Sequence, residues 1–180
     1  MSAMIDAAGY GKALFELARE NGTQERIYEE LELVCKVMEG NPPYVTLLDT
    51  PAVSTEEKLS LVKEAFGSVE PMLLNFLSIL CEKRSVHLLS ACAGEYNKRY
   101  DEARNILRAT AITAVSMTPR QQAALKAKLM RLTGKTVILE NQTDEKLIGG
   151  ITLRYGGEQL DDSIRHRLDE LHRSLSDTIV

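Results

Sequence analysis

The chain has 180 residues, with 22 Lys+Arg against 26 Asp+Glu (formal net charge −4), 44% hydrophobic and 27% charged residues. A globular chain of this length buries about 70% of its unfolded surface and needs neither metal nor disulfide staples to fold. The mildly acidic balance argues against a nucleic-acid binder. No apolar run approaches the ~20 residues of a membrane-spanning helix, and the opening MSAMIDAAGYGK lacks the apolar core of a secretory signal.

The first helix is expected around the stripe Tyr10, Ala13, Leu14 and Leu17, with Phe15 and Ala18 off that stripe. It therefore has apolar surface on two sides. Ile27, Leu31, Val34, Cys35 and Met38 follow 3- and 4-residue steps and predict a second helix, which Gly40 and Pro42-Pro43 stop. A short apolar turn (Tyr44, Leu47, Leu48) follows and ends at Pro51. Ser54 and Glu57 form a capping box that opens a helix carrying Leu61, Val62, Ala65 and Phe66, closed by Gly67. A fifth helix starts near Pro71, and its apolar residues from Met72 to Cys81 cover nearly the whole circumference. Such a helix is either central in a core or covered by a partner on one side. After the Glu82-Lys83-Arg84 break, Leu88, Leu89, Cys92, Tyr96 and Tyr100 predict a sixth helix.

Past residue 105 the period changes from helical to alternating. Leu107, Ala109, Ala111, Thr113 and Val115 alternate with Arg108, Thr110 and Ile112 as in a strand. Thr118-Pro119 caps a helix with Leu125, Leu129 and Leu132, ended by Gly134. Two further strands are expected at Lys135 to Asn141 and Leu147 to Tyr155. A Gly156-Gly157 turn then leads to a last helix from Asp161 to Ser176, in which one of Asp161 and Asp162 acts as N-cap. The expected fold is mainly α: a six-helix bundle over residues 1–105, then a small α+β domain over 106–180. Charge divides the same way, −6 in residues 1–105 and +2 in residues 106–180. Such polarity suits a molecule that joins two different partners.

The search for chemistry finds little. Cys35, Cys81 and Cys92 form no CxxC pair and have no His at ligand spacing, so they are expected as buried free thiols, suited to a reducing compartment. Gly134-Lys135-Thr136 resembles the end of a phosphate-binding loop. Leu129 stands where that loop needs its first Gly, so a helix C-cap is the better reading. His87, His166 and His172 fit no HExxH pattern, and no Ser sits in a GxSxG elbow. Neither catalytic residues nor a cofactor or metal site is expected.

Taken in order, the motifs carry a resemblance. The segment Tyr10 to Ala18 (YGKALFELA) is similar to the first helix of the delta subunit of bacterial F-type ATP synthase, relative of the mitochondrial oligomycin-sensitivity-conferring protein. Asn75-Phe76-Leu77-Ser78-Ile79-Leu80 with Glu82-Lys83-Arg84 resembles its fifth helix and the turn after it. LTGKTVILENQTDEKLIGGITLRYGGEQLDDSI, from Leu132 to Ile164, resembles its most recognisable stretch. The resemblance spans essentially the whole chain, departing from the family pattern at Ser85 and Glu145.

The resemblance implies a non-catalytic peripheral-stalk (stator) subunit, one copy per complex, at the cytoplasmic face of the cell membrane. Its helical domain would clasp the N-terminal helix of an alpha subunit, and its C-terminal domain would engage the b-subunit stalk. With that role, the residue pattern points to a groove formed by the first and fifth helices. The expected partner-binding residues are Tyr10, Ala13, Leu14, Leu17, Leu73, Leu74, Leu77 and Leu80, since a helix in a groove is recognised through anchors at 3- and 4-residue spacing. Arg165 and Arg167 are expected to pair with charges on the stalk. The alternative is a helical RNA-binding module of the antitermination-factor type, which would require a basic patch that the −6 half does not offer.

Overall fold

A computed structural model of the chain describes residues 2–147, 149–155 and 158–163. It divides into two compact units, Met1–Tyr100 and Asp101–Val180.

The first unit is helical, as the apolar periods require. Helix α1 (Ser2–Glu20) buries Ala7, Leu14, Phe15 and Ala18, so its core side is the one off the Tyr10–Ala13–Leu17 stripe. Helix α2 (Gln24–Gly40) buries Ile27, Leu31, Val34 and Met38. The short turn expected next is a full helix, α3 (Pro42–Asp49). Pro42 at its first position supplies a preset φ and lacks an N–H that the first turn would leave unbonded anyway, so the residue that stops α2 starts α3.

Helix α4 (Thr55–Phe66) opens with the expected capping box. Glu57 N–H donates to Ser54 Oγ at 3.3 Å, and Ser54 N–H donates to Glu57 Oε2 at 3.1 Å. Within it Lys58 is buried, satisfied by donating from Nζ to the Thr50 carbonyl at 2.5 Å. Helix α5 (Pro71–Glu82) buries Leu73, Phe76, Leu77, Leu80 and Cys81. It ends where Arg84 takes a left-handed φ of 54°, with Ser85 N–H bonded to the Leu80 carbonyl and Arg84 N–H to the Cys81 carbonyl. Those two bonds satisfy carbonyls that the last turn leaves open. A 3-10 turn (Val86–Leu88) leads into α6 (Leu89–Ala103), which buries Leu89, Cys92, Ala93, Tyr96 and Tyr100.

The bundle core is built largely from aliphatic residues, with aromatics at its crossings. Phe15 meets Tyr96 edge to face at 5.6 Å between centroids, and Tyr28 stacks on Tyr100 at 4.6 Å. The buried Tyr96 hydroxyl donates to the Gln24 carbonyl at 2.9 Å. Each fully buried Leu contributes about 1.5–3 kcal/mol relative to an exposed one.

The second unit contains β1 (Ile106–Thr113), α7 (Pro119–Thr133), β2 (Thr136–Thr143), β3 (Gly150–Tyr155) and β4 (Glu158–Ser163). The sheet order is β2-β1-β3-β4; β1 and β2 are parallel, joined by α7, and the other neighbours are antiparallel. Ala109, Ala111, Leu129, Val137 and Leu153 make the core between α7 and one sheet face. Helix α7 starts with a capping box, Thr118 with Gln121, and ends at Gly134, whose φ of 69° needs a residue without a Cβ penalty. The phosphate-loop look-alike is therefore a helix C-cap followed by a strand.

One expectation is corrected. Asp161 and Asp162 do not open a helix: they lie in β4, with Asp161 opposite Thr152 and Asp162 opposite Ile151. The alternation around Leu160, which sits opposite Leu153, lets this segment complete the backbone bonds of β3. A strand register overrides the local capping preference of an Asp pair. The Gly156-Gly157 turn and residues 164–176 of the expected last helix lie outside the described residues. The mainly α architecture, a six-helix bundle followed by a small α+β unit, is as the sequence indicates.

Candidate functional site

Between α1 and α5 the first unit carries a groove of about 720 Å³. From α1 come Tyr10, Ala13, Leu14 and Leu17; Asn21 and Thr23 follow them, and Glu70, Met72, Asn75, Phe76 and Ile79 complete the lining. Leu14 and Phe76 form its floor, 3% and 7% exposed, while Leu17 and Ile79 stand in its walls at 49% and 44%. Single exposed Leu or Ile side chains are ordinary, but apolar residues of two helices lining one concavity make this groove the candidate binding surface.

The structure brings together the four expected α1 residues. On α5 the grouping differs: Leu73, Leu77 and Leu80 are fully buried in the bundle core, and the half-buried Leu74 is not part of the lining. The groove face of α5 is instead Met72, Asn75, Phe76 and Ile79, about one residue's rotation (100°) away. An all-round apolar helix gives no periodic signal to distinguish these faces. Asn75 and Ser78 were the interruptions that could have done so, because a polar residue on a buried helix marks the side nearest solvent.

The groove has a polar end. Arg26 Nη1 bonds Glu70 Oε2 at 3.0 Å while its Nε bonds Glu30 Oε1 at 2.9 Å, and Glu30 Oε2 accepts the Glu70 backbone N–H at 2.6 Å. The two carboxylates push the Arg26 pKa up further, through the hydrogen bond that Arg26 donates to Glu30 first and the charge of Glu70 second. Asn21 donates its side-chain N–H to the Leu17 carbonyl at 2.8 Å. Thr23 Oγ1 is buried with no hydrogen-bond partner.

Elsewhere the three thiols are held in their protonated, unreactive form. Cys81 and Cys92 are buried as expected while Cys35 is only half-buried; desolvation pushes the Cys35 thiol up to about 12 and the Cys81 and Cys92 thiols to about 11, the opposite of nucleophile activation. Burial also raises the hydroxyls of Tyr44 and Tyr96. His87 Nδ1 lies 2.6 Å from Asp49 Oδ2, but that carboxylate also accepts the Val86 and His87 backbone N–H groups at 2.8 and 3.1 Å. Asp49 thus anchors the 3-10 turn rather than orienting a base toward a substrate. Among the described residues no cluster of three or more His, Cys, Asp or Glu could hold a metal, and no helix is long and apolar enough to cross a membrane. Arg165 and Arg167 lie outside the described residues.

Comparison with known proteins gives this groove a context. The family model for the ATP synthase delta (OSCP) subunit matches residues 7–175. The ATP synthase subunit delta of Flavobacterium psychrophilum is 31% identical, covering 98% of this chain and 99% of its own length. That of a Geobacillus species is 34% identical over 97% and 99%. The sodium-ion-specific ATP synthase subunit delta of Propionigenium modestum is 34% identical over 92% and 95%. A chain in the cryo-EM structure of the Toxoplasma gondii mitochondrial ATP synthase hexamer shares the fold, with a TM-score of 0.76 at 23% identity over 94% of this chain and 96% of that one.

Proposed function

The chain belongs to the ATP synthase delta (OSCP) subunit family, and from that premise we propose that it is the non-catalytic stator link of an F-type ATP synthase. Its first unit grips the N-terminal helix of an alpha subunit of the catalytic headpiece, and its second unit holds the end of the b-subunit stalk. One copy serves each complex, on the cytoplasmic face of the cell membrane, attached only through the complex. Torque from the rotor would turn an unanchored headpiece. A link that resists this rotation lets proton flow drive ATP synthesis, and it does so without making or breaking a bond.

The observation that carries the reading is the apolar groove between α1 and α5, open along two helices and lined by Tyr10, Ala13, Leu14, Leu17, Met72, Phe76 and Ile79. An amphipathic helix laid in it would bury its apolar face against anchors spaced one turn apart. Ala13, exposed between larger side chains, would let the partner backbone come close.

The test is calorimetric titration of the full chain with a peptide of the alpha-subunit N-terminal segment, together with co-elution on a soluble fragment of the b stalk. Saturable binding of both is expected. Failure of the peptide to bind would remove the headpiece contact from the groove, and failure of the stalk fragment to co-elute would remove the second attachment.

A further inference from the structure

The second unit carries uncompensated charge on one helix. Between Glu102 and Glu140 the chain has no Asp or Glu, while seven Lys or Arg occupy the same stretch. Four of these, Arg120, Lys126, Lys128 and Arg131, stand on α7, and all four are exposed. Among the described residues none of the four has an ion-pair partner, whereas Lys12, Arg26 and Arg99 of the first unit each face a glutamate. Arg120 stands in the first turn of α7, at the positive end of the helix dipole, where carboxylates are favoured. Lys128 and Arg131 are three residues apart on one side, a like-charge pair that repels. Both are local costs that a carboxylate brought by a partner would relieve.

The side of α7 that carries these charges is shaped for close approach. Leu125 and Leu129 pack on the sheet core. On the opposite side Arg120 and Arg131 lie on one line, eleven residues and about 16 Å apart along the axis. Ala123, Ala124 and Ala127, all exposed, fill the space between them. Alanines leave room for another helix axis to come within about 8 Å, the near end of helix–helix packing distances. Met130 and Leu132 are the only bulky apolar side chains that α7 exposes, fewer than a helix lying in a bilayer surface presents. The helix has no aromatic residue on which a nucleic-acid base could stack.

Taking the second unit as the stalk-holding part proposed above, we infer that the outer face of α7 is where the stalk docks, and that the docked segment is an acidic helix. It lies along α7 with small or apolar residues over Ala123, Ala124 and Ala127. Its carboxylates, three turns apart, reach Arg120 and Arg131. The alanines set how close the two helices come, and the arginines at either end set the register.

The test is titration of the full, 15N-labelled chain with a soluble fragment of the b stalk. The fragment should shift the amide signals of Arg120, Ala124, Ala127 and Arg131, and raising ionic strength from about 0.05 M to about 0.3 M should weaken binding several-fold. In calorimetry, Arg120→Glu combined with Arg131→Glu should weaken it at least about tenfold. Ala127→Trp, which adds bulk without charge, should weaken it to a similar degree at either salt. Unmoved strand amides at Ala109, Ala111 and Leu153 report that the second unit of each variant is intact. No binding of the fragment to the unaltered chain would overturn the stalk-holding reading and this inference with it. Binding that leaves the α7 amides in place, or that the double charge reversal does not weaken, would overturn the docking face alone. A single-stranded RNA oligomer bound as tightly as the stalk fragment would overturn the acidic helix as the partner.

Discussion

A methyl group placed on Gly11 would overlap the carbonyl oxygen of Cys92 and come within 2.9 Å of Glu95 Cβ. Helix α1 therefore meets α6 at a point where only hydrogen fits. On the opposite side of α1 from Ala13 and Leu17, this contact holds that side of the helix against α6 and leaves the groove side open.

Gly11→Ala should lower the melting temperature, because overpacking against a backbone carbonyl costs about 1–3 kcal/mol and exceeds the roughly 1 kcal/mol that Ala gains in helix propensity. Gly9, with nothing within 4 Å of an added Cβ, is the control: Gly9→Ala should raise it. Thermal unfolding followed by circular dichroism distinguishes the two, and a stabilised Gly11→Ala would show that α1 is not held at this crossing.

Ala13→Arg should leave helicity intact, since Ala13 is exposed, while weakening alpha-peptide binding by at least ~2 kcal/mol, a loss of hot-spot size. Calorimetry at fixed salt checks this, and an unchanged affinity would take Ala13 out of the contact.

The two faces of α5 should separate stability from binding. Leu77 is 1% exposed, so Leu77→Ala should cost about 2–5 kcal/mol in urea unfolding. Ile79 is 44% exposed in the groove wall, so Ile79→Ala should change stability little and reduce peptide affinity. A variant pair behaving the other way round would mean the groove face of α5 is misplaced.

Asn141 ties the second unit together through one amide. Its N–H groups donate to the Ala111 carbonyl at 2.9 Å and Thr113 Oγ1 at 3.0 Å, and its oxygen accepts the Met117 N–H at 2.7 Å. Asn141→Ala removes these three bonds, though Thr113 Oγ1 still donates to the Val115 carbonyl at 2.8 Å, and should cost about 1–3 kcal/mol. The signature is faster hydrogen exchange at the Met117 amide, and unaltered exchange there would refute the role.

The three thiols make stability fall at alkaline pH. In the fold their pKa values rise to about 12 for Cys35 and about 11 for Cys81 and Cys92, against an ordinary 9.0. A proton held more tightly by the folded state keeps its stabilising effect below pH 9, and the effect is lost as pH climbs toward 11–12. The urea midpoint should therefore drop between pH 8 and pH 10.5, and the drop should shrink in Cys→Ala variants. A midpoint that is flat over this range would show that the thiols do not carry this pH dependence.

Much of the helical unit is legible residue by residue. Ile27, Leu31, Val34 and Met38 recur at helical spacing and all are buried. Ser54 with Glu57 marks a helix start that the structure reproduces bond for bond. The failures share a cause. Pro42-Pro43 reads as a stop but also starts α3, because a proline suits either side of a helix boundary. Asp161-Asp162 reads as a cap but lies in β4, because the residues that pair with it are nine and eleven positions upstream.

By itself the sequence determined which segments are helical, where the alternating pattern begins, that α1 has two apolar sides, and the family resemblance that runs the length of the chain. These are local or additive properties, set by periodicity, capping chemistry and ordered motifs. Which side of α1 and which side of α5 were left open as the groove was decided only in three dimensions. Leu73, Leu77 and Leu80 look the same as Met72, Phe76 and Ile79 on an all-round apolar helix. Packing against the rest of the bundle is what turned the first set inward and left the second set lining the groove.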